Sequence, residues 1–109
     1  MPSRVVFRKE ESPVVSAIVP SWDGKRSGNV GRLIDQLKDQ SLGSVEAILV
    51  SGESPNGRAR NLGAADARGR YLVFIDDDVQ LGNEMVLENL IGPLQAERDI
   101  GLTGVSQLL

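Results

Sequence analysis

Three consecutive aspartates, Asp76-Asp77-Asp78, follow directly on the apolar run Tyr71–Ile75. Like charges this close repel one another unless a cation joins them. On an extended backbone two carboxylates one residue apart point the same way. Asp76 and Asp78 would then offer paired hard oxygen donors to Mg²⁺ or Mn²⁺, with water and phosphate completing the shell. A cation so held neutralises charge that develops on a diphosphate leaving group. The triplet by itself also fits a solvated turn in which Asp78 or Asn83 caps the next helix. On the extended backbone Asp77 points away and is solvated.

The composition narrows the chemistry around that triplet. The 109 residues contain no cysteine and no histidine, which excludes disulfides, Cys/His zinc sites and histidine acid–base catalysis. Any metal must take oxygen ligands. The net charge of −3 carries no basic stripe of the kind that binds nucleic acid. No apolar run is long enough to span a membrane and no signal-peptide core opens the chain, so the expected location is cytoplasmic.

The elements that must position the aspartates can be read from the hydrophobic pattern. Residues 1–13 read as a polar N-terminal tail, within which Arg4–Arg8 has the composition of an edge strand. The β-branched run Val14–Val19 reads as a buried strand stopped by Pro20. Asn29 is a helix-capping type, and Val30, Leu33, Ile34 and Leu37 then fall on one helical face. Val45–Val50 is a second buried strand. Arg58–Ala67 reads as a helix ended by Gly69. Tyr71–Ile75 is the third strand, residues 83–97 a helix interrupted by Pro93, and residues 100–109 a fourth strand. Strands alternating with helices predict an α/β fold, a mostly parallel sheet of about four strands with helices on both faces. Ligands of such sheets bind at the carboxyl ends of the strands. The loops 20–29, 51–57 and 76–82 collect there.

The segments Ala59-Arg60-Asn61-Leu62-Gly63-Ala64 and Ala67-Arg68-Gly69-Arg70-Tyr71, leading through an apolar strand into Asp76-Asp77-Asp78, closely resemble family 2 glycosyltransferases. Those enzymes carry A-R-N-x-G-A, A-x-G-x-[YF], a strand and then D-x-D. Val15-Ser16-Ala17-Ile18-Val19-Pro20-Ser21-Trp22 is similar to the family's opening strand, and Gln40 with Glu46–Val50 to its Q-x-x-x-x-E-x-I-x-V. The resemblance covers residues 14–106. It implies a partial GT-A, Rossmann-like domain over residues 14–109, a nucleotide-diphosphate-sugar donor, a divalent cation and inverting transfer. Under it Pro20, Ser21 and Trp22 line the base and ribose, with Trp22 stacked on the base. Arg60 sits near the base or phosphates, Asp76 faces the ribose or sugar, and Asp78 ligates the metal, with Asp76 as the second candidate ligand. Asp77 is counted with the donor-binding residues.

The sequence departs from the family pattern in three ways. The second strand ends Val50-Ser51-Gly52-Glu53-Ser54 where the family has V-D-D-G-S. Ser51 or Gly52 therefore replaces the base-reading aspartate, and Glu53 is the nearby carboxylate able to accept from a ring N–H. A helix and a strand usually found before A-R-N-x-G are missing, which predicts a sheet edge open to pairing, including pairing into a homodimer. The acceptor half, with its general base and Q-x-x-R-W element, is not in this sequence. Losing a positioned base removes a contribution of ~10²–10⁴-fold, so little transferase activity is expected from these residues alone. The competing reading is a non-catalytic, glycosyltransferase-like remnant that binds or oligomerises. A sugar-phosphate nucleotidylyltransferase fits less well, because Pro20-Ser21-Trp22-Asp23-Gly24 replaces its G-x-G-T-R loop. An aspartyl phosphatase also fits less well, because Val79 follows the acidic triplet where a threonine would be expected.

Overall fold

The computed structural model describes residues 3–52, 56–96 and 102–105. Its elements are β1 (Ser3–Arg8), β2 (Val15–Ser21), α1 (Asn29–Lys38), β3 (Val45–Ser51), α2 (Asn56–Asp66), β4 (Tyr71–Ile75), α3 (Val86–Ala96) and β5 (Leu102–Val105). They form one five-stranded sheet in the order β1-β3-β2-β4-β5. The four strands from β2 onward run parallel. Only β1 is antiparallel, paired with β3. The expected α/β sheet is thus present with one strand more than expected: the N-terminal segment read as a tail lies along the sheet.

That extra strand bears on the expected open edge. β1 runs along the outer side of β3 from Ser3↔Val50 to Arg8↔Glu46, with an irregularity between Val5 and Phe7. The edge of β3 is therefore covered by the chain's own N-terminus and is not free for a second copy.

Strand alternation divides the core between the two faces. Val15, Ala17 and Val19 of β2, Val45, Ala47 and Leu49 of β3, and Tyr71, Val73 and Ile75 of β4 share one cluster with Val30, Leu33, Ile34 and Leu37 of α1 and Leu87 and Ile91 of α3. The opposite face holds Ile18, Ile48 and Val50, packed by Leu62 and Ala64 of α2 and by Leu72 and Phe74. Helices cover both faces: α1 and α2 lie on opposite faces, as right-handed crossovers leading to opposite sides of β2 require. The apolar face read from the sequence of α1 is the face that is buried. Helix α3 begins at Val86, three residues later than the sequence pattern predicts, and Met85 just before it is exposed. Val86, Leu87 and Ile91 are its buried residues among those described.

Two glycines of the family-like segments mark places where the backbone closely approaches its neighbours. A Cβ on Gly63 of α2 would press into Ile18 and come within 3.1 Å of Val50 Cγ2. A Cβ on Gly69 would stand 2.5 Å from the Ser16 backbone N and 2.8 Å from the Val15 carbonyl carbon. These contacts bring α2 and the start of β4 directly onto β2, and so set where β4 delivers the acidic triplet.

Candidate functional site

β2 pairs with β3 as far as Ser21↔Ser51, but with β4 only as far as Ile18↔Phe74. Beyond Ile18 the ends of β2 and β4 separate. Pro20, which lacks a backbone N–H, removes one ladder donor in this stretch. The chain turns to opposite sides of β2 at this point, and such switch points open a crevice at the carboxyl ends of the strands. A cleft of about 300 Å³ lies here, lined by Pro20, Ser21, Trp22, Arg26, Asp76, Asp77 and Asp78. Its size is at the lower end for a small-molecule site.

Most of the residues singled out from the sequence meet in this cleft. Pro20 and Ser21 are buried, and the Ser21 hydroxyl accepts from the Gly24 backbone N–H at 3.1 Å. The Trp22 carbonyl accepts from the Gly52 N–H at 2.9 Å, which ties the loops after β2 and β3 together. Its indole is 68% exposed, so Trp22 does not cover the core edge. Arg60 reaches toward the triplet from α2: its NH2 is 3.7 Å from Asp76 Oδ1, and its guanidinium lies 5.4 Å from the Phe74 ring centroid. Glu53 lies outside the described residues.

The acidic segment is a turn and not an extended chain. The Val79 N–H donates to the Asp76 carbonyl at 3.1 Å. Asn29 Nδ2 donates to the carbonyls of Asp77 and Val79 at 2.8 and 3.0 Å. Asp77 is accordingly turned into the cleft, its side chain only 16% exposed, whereas Asp78 is 57% exposed. The expectation that Asp77 points to solvent is corrected by this turn. Asn29 also departs from its expected part: Gly28, in a left-handed conformation, precedes the helix without a side-chain cap, and the Asn29 side chain serves the acidic loop instead.

Helix α1 continues that support with a row of amides. Gln80 Nε2 donates to Asn29 Oδ1. Gln36 donates to Gln80 Oε1 at 2.6 Å and accepts from the Leu81 N–H at 2.8 Å. Gln40 donates to the Asn83 carbonyl and accepts from the Leu87 N–H, both at 2.9 Å. Residues 77–87 are thus held along α1 and the Gln40 that follows it by side chains whose sequence signal is only a polar stripe.

Arg26 is the cleft residue that the sequence did not single out. Its guanidinium lies 3.9 Å from Asp77 Oδ1 and 3.8 Å from Asp78 Oδ2. One of two adjacent basic residues, Lys25 and Arg26, in a Gly- and Ser-containing loop, it carries no spacing signal that would have identified it. Asp23 builds the turn that presents it, accepting from the N–H groups of Lys25 and Arg26 at 2.9 Å each. The Arg26 and Lys25 backbone bonds hold the Asp23 carboxyl below its usual range.

Asp76 and Asp78 are the carboxylates of the cleft that would hold a divalent cation, were one bound mainly through its ligand. Asp76 and Asp78 present oxygens to an open cleft, and their arginine neighbours stand at 3.7 and 3.8 Å, beyond hydrogen-bond length. Among the described residues no three acidic side chains converge on one point. Mg²⁺ is commonly held by one or two carboxylates with phosphate and water, and such a site needs no more protein ligands. A larger cavity of about 480 Å³ lies between β1, the loop before α1 and α1 itself. Its walls combine Val6, Val30, Ile34 and Leu49 with the charged Arg4, Lys25 and Asp35 and include none of the triplet, so the smaller cleft is the better candidate for the chemistry.

No described helix is long and apolar enough to cross a membrane. Comparison with curated proteins and with solved structures yields no match. The family model of glycosyl transferase family 2 matches residues 55–107, a stretch that takes in α2, β4, the acidic triplet, α3 and β5. Over that stretch the chain is similar to glycosyl transferase family 2, and its mostly parallel sheet is compatible with a partial GT-A fold.

Proposed function

We propose that the cleft between the ends of β2 and β4 binds the nucleotide-diphosphate part of a sugar donor for inverting glycosyl transfer. The observation that carries this reading is the meeting of Pro20, Ser21 and Trp22 with Asp76, Asp77 and Asp78 in one cleft. Trp22 offers an exposed aromatic face for a base. Ser21 and Asp76 border the ribose or sugar, Arg60 lies on the phosphate side, and Glu53 is the carboxylate for a ring N–H. Asp78, with Asp76, holds Mg²⁺ or Mn²⁺, which when bound supplies neutralisation of charge developing on the diphosphate.

The test is calorimetric titration of UDP and GDP, with and without Mn²⁺, into the wild type and Asp78→Ala. Mn²⁺-dependent binding lost in Asp78→Ala is the expected result. Binding of neither nucleotide under any metal condition refutes the reading. The competing non-catalytic, oligomerising role has two edges available among the described strands, the outer side of β5 and that of β1. Arg4 and Arg8 on that strand disfavour strand pairing with a second copy. A tight dimer without nucleotide binding would favour that role.

A further inference from the structure

The loop that carries Arg26 adopts a costly conformation. Arg26 and Ser27 have φ of 45° and 53°, and Gly28 follows at 89°. Left-handed backbone is disfavoured for residues with a Cβ, and two in succession persist only where the surroundings hold them. Here the Asp23 carboxylate holds the N–H groups of Lys25 and Arg26. The carbonyls of Arg26 and Lys25 in turn accept from the N–H groups of Asn29 and Val30 at 3.0 Å each. The result is to aim one guanidinium across the cleft at Asp77 and Asp78.

The charges give that arrangement a consequence. The three aspartates face two arginines, Arg26 and Arg60, so the cleft carries a net charge of about −1 and repels a free diphosphate. Arg26 is 58% exposed, and its contacts at 3.8 and 3.9 Å are too long for hydrogen bonds. Exposed pairs of this kind are weak and easily exchanged. A divalent cation that takes the carboxylate of Asp78 would free the guanidinium where it stands. A planar guanidinium binds phosphate oxygens in pairs.

Resting on the donor-site reading above, we propose that Arg26 is an exchangeable counter-ion. It neutralises Asp77 and Asp78 in the absence of metal and passes to the diphosphate when a divalent cation takes the Asp78 carboxylate. Arg26 thereby competes with the cation and cooperates with the anion.

Those opposite couplings make the test. Mn²⁺ binding alone is followed by the electron paramagnetic resonance signal of free Mn²⁺. UDP and GDP binding are followed by calorimetry in excess Mn²⁺. In Arg26→Gln, Mn²⁺ alone should bind about two- to fivefold tighter, because an exposed competitor is gone. The nucleotide diphosphate should bind about tenfold weaker, because a charge-assisted contact is lost. Arg26→Lys should restore the wild-type Mn²⁺ affinity but only part of the nucleotide affinity, since it keeps the charge and loses the fork. Unchanged Mn²⁺ affinity in Arg26→Gln, or a shift of both affinities in the same direction, overturns the exchange. If Mn²⁺ binding tightens but neither protein binds a nucleotide, it is the donor function that fails. Inorganic pyrophosphate then replaces the nucleotide, and equal pyrophosphate affinity in wild type and Arg26→Gln overturns the exchange.

Discussion

Arg8 Nε donates to Glu46 Oε1 at 2.6 Å, joining the edge strand β1 to a carboxylate in β3 that is fully buried. The other oxygen of Glu46 accepts from the Ser16 hydroxyl and from the Arg68 backbone N–H at 2.6 Å. Ser16 in turn accepts from the Gly69 N–H at 2.7 Å. One buried carboxylate thus connects β1, β2, β3 and the segment leading into β4. This network also accounts for two features of the family-like segments, Glu46 and Gly69, without any direct part in the cleft.

Removing Arg8 strands the Glu46 carboxylate away from its cation. Breaking a buried ion pair from one side costs about 3–5 kcal/mol. Arg8 is one-fifth exposed, so the loss in Arg8→Ala should fall near the lower end, about 3 kcal/mol. Urea denaturation of wild type and variant measures it. A loss below about 1 kcal/mol, the worth of an exposed pair, would show that β1 is not coupled to the core through this contact.

Gly69→Ala should be among the most disruptive single-methyl changes in the chain. The added Cβ meets backbone atoms of β2 at 2.5 and 2.8 Å, which cannot rotate away. A cost at or above the upper end of the ~1–3 kcal/mol for overpacking is expected. Gly31→Ala is the contrast: nothing lies within 4 Å of its Cβ position in α1, and alanine should gain about 0.5–1 kcal/mol. Equal effects of the two substitutions on the thermal midpoint would contradict the close approach at Gly69.

Asn29 should act on binding as well as on stability, since its amide holds the carbonyls on both sides of Asp78. Asn29→Ala loses two hydrogen bonds worth about 0.5–1.5 kcal/mol each. It should weaken Mn²⁺-dependent nucleotide binding severalfold as the acidic turn loosens. Calorimetry beside a denaturation curve separates the two effects. Lost stability with unchanged nucleotide affinity would assign Asn29 to packing alone.

The sequence by itself determined the elements and the location of the cleft. The β-branched runs of β2, β3 and β4 could only be buried strands, and the spacing of Val30, Leu33, Ile34 and Leu37 allowed one apolar face on α1. Strand–helix alternation brought the loops after those strands to one end of the sheet, so Pro20–Trp22 and Asp76–Asp78 were predictable neighbours. The tertiary structure decided what each polar side chain does there. Arg26, Asn29, Gln36 and Arg8 find their partners across long stretches of chain. Such pairings depend on strand order and register, which a local pattern does not encode. The same holds for β1: the composition of Arg4–Arg8 offers an edge strand, but a short run of mixed polarity does not say which strand it pairs with. It pairs with β3 because the edge of β3 offers unpaired backbone groups and Glu46 offers Arg8 a buried counter-charge.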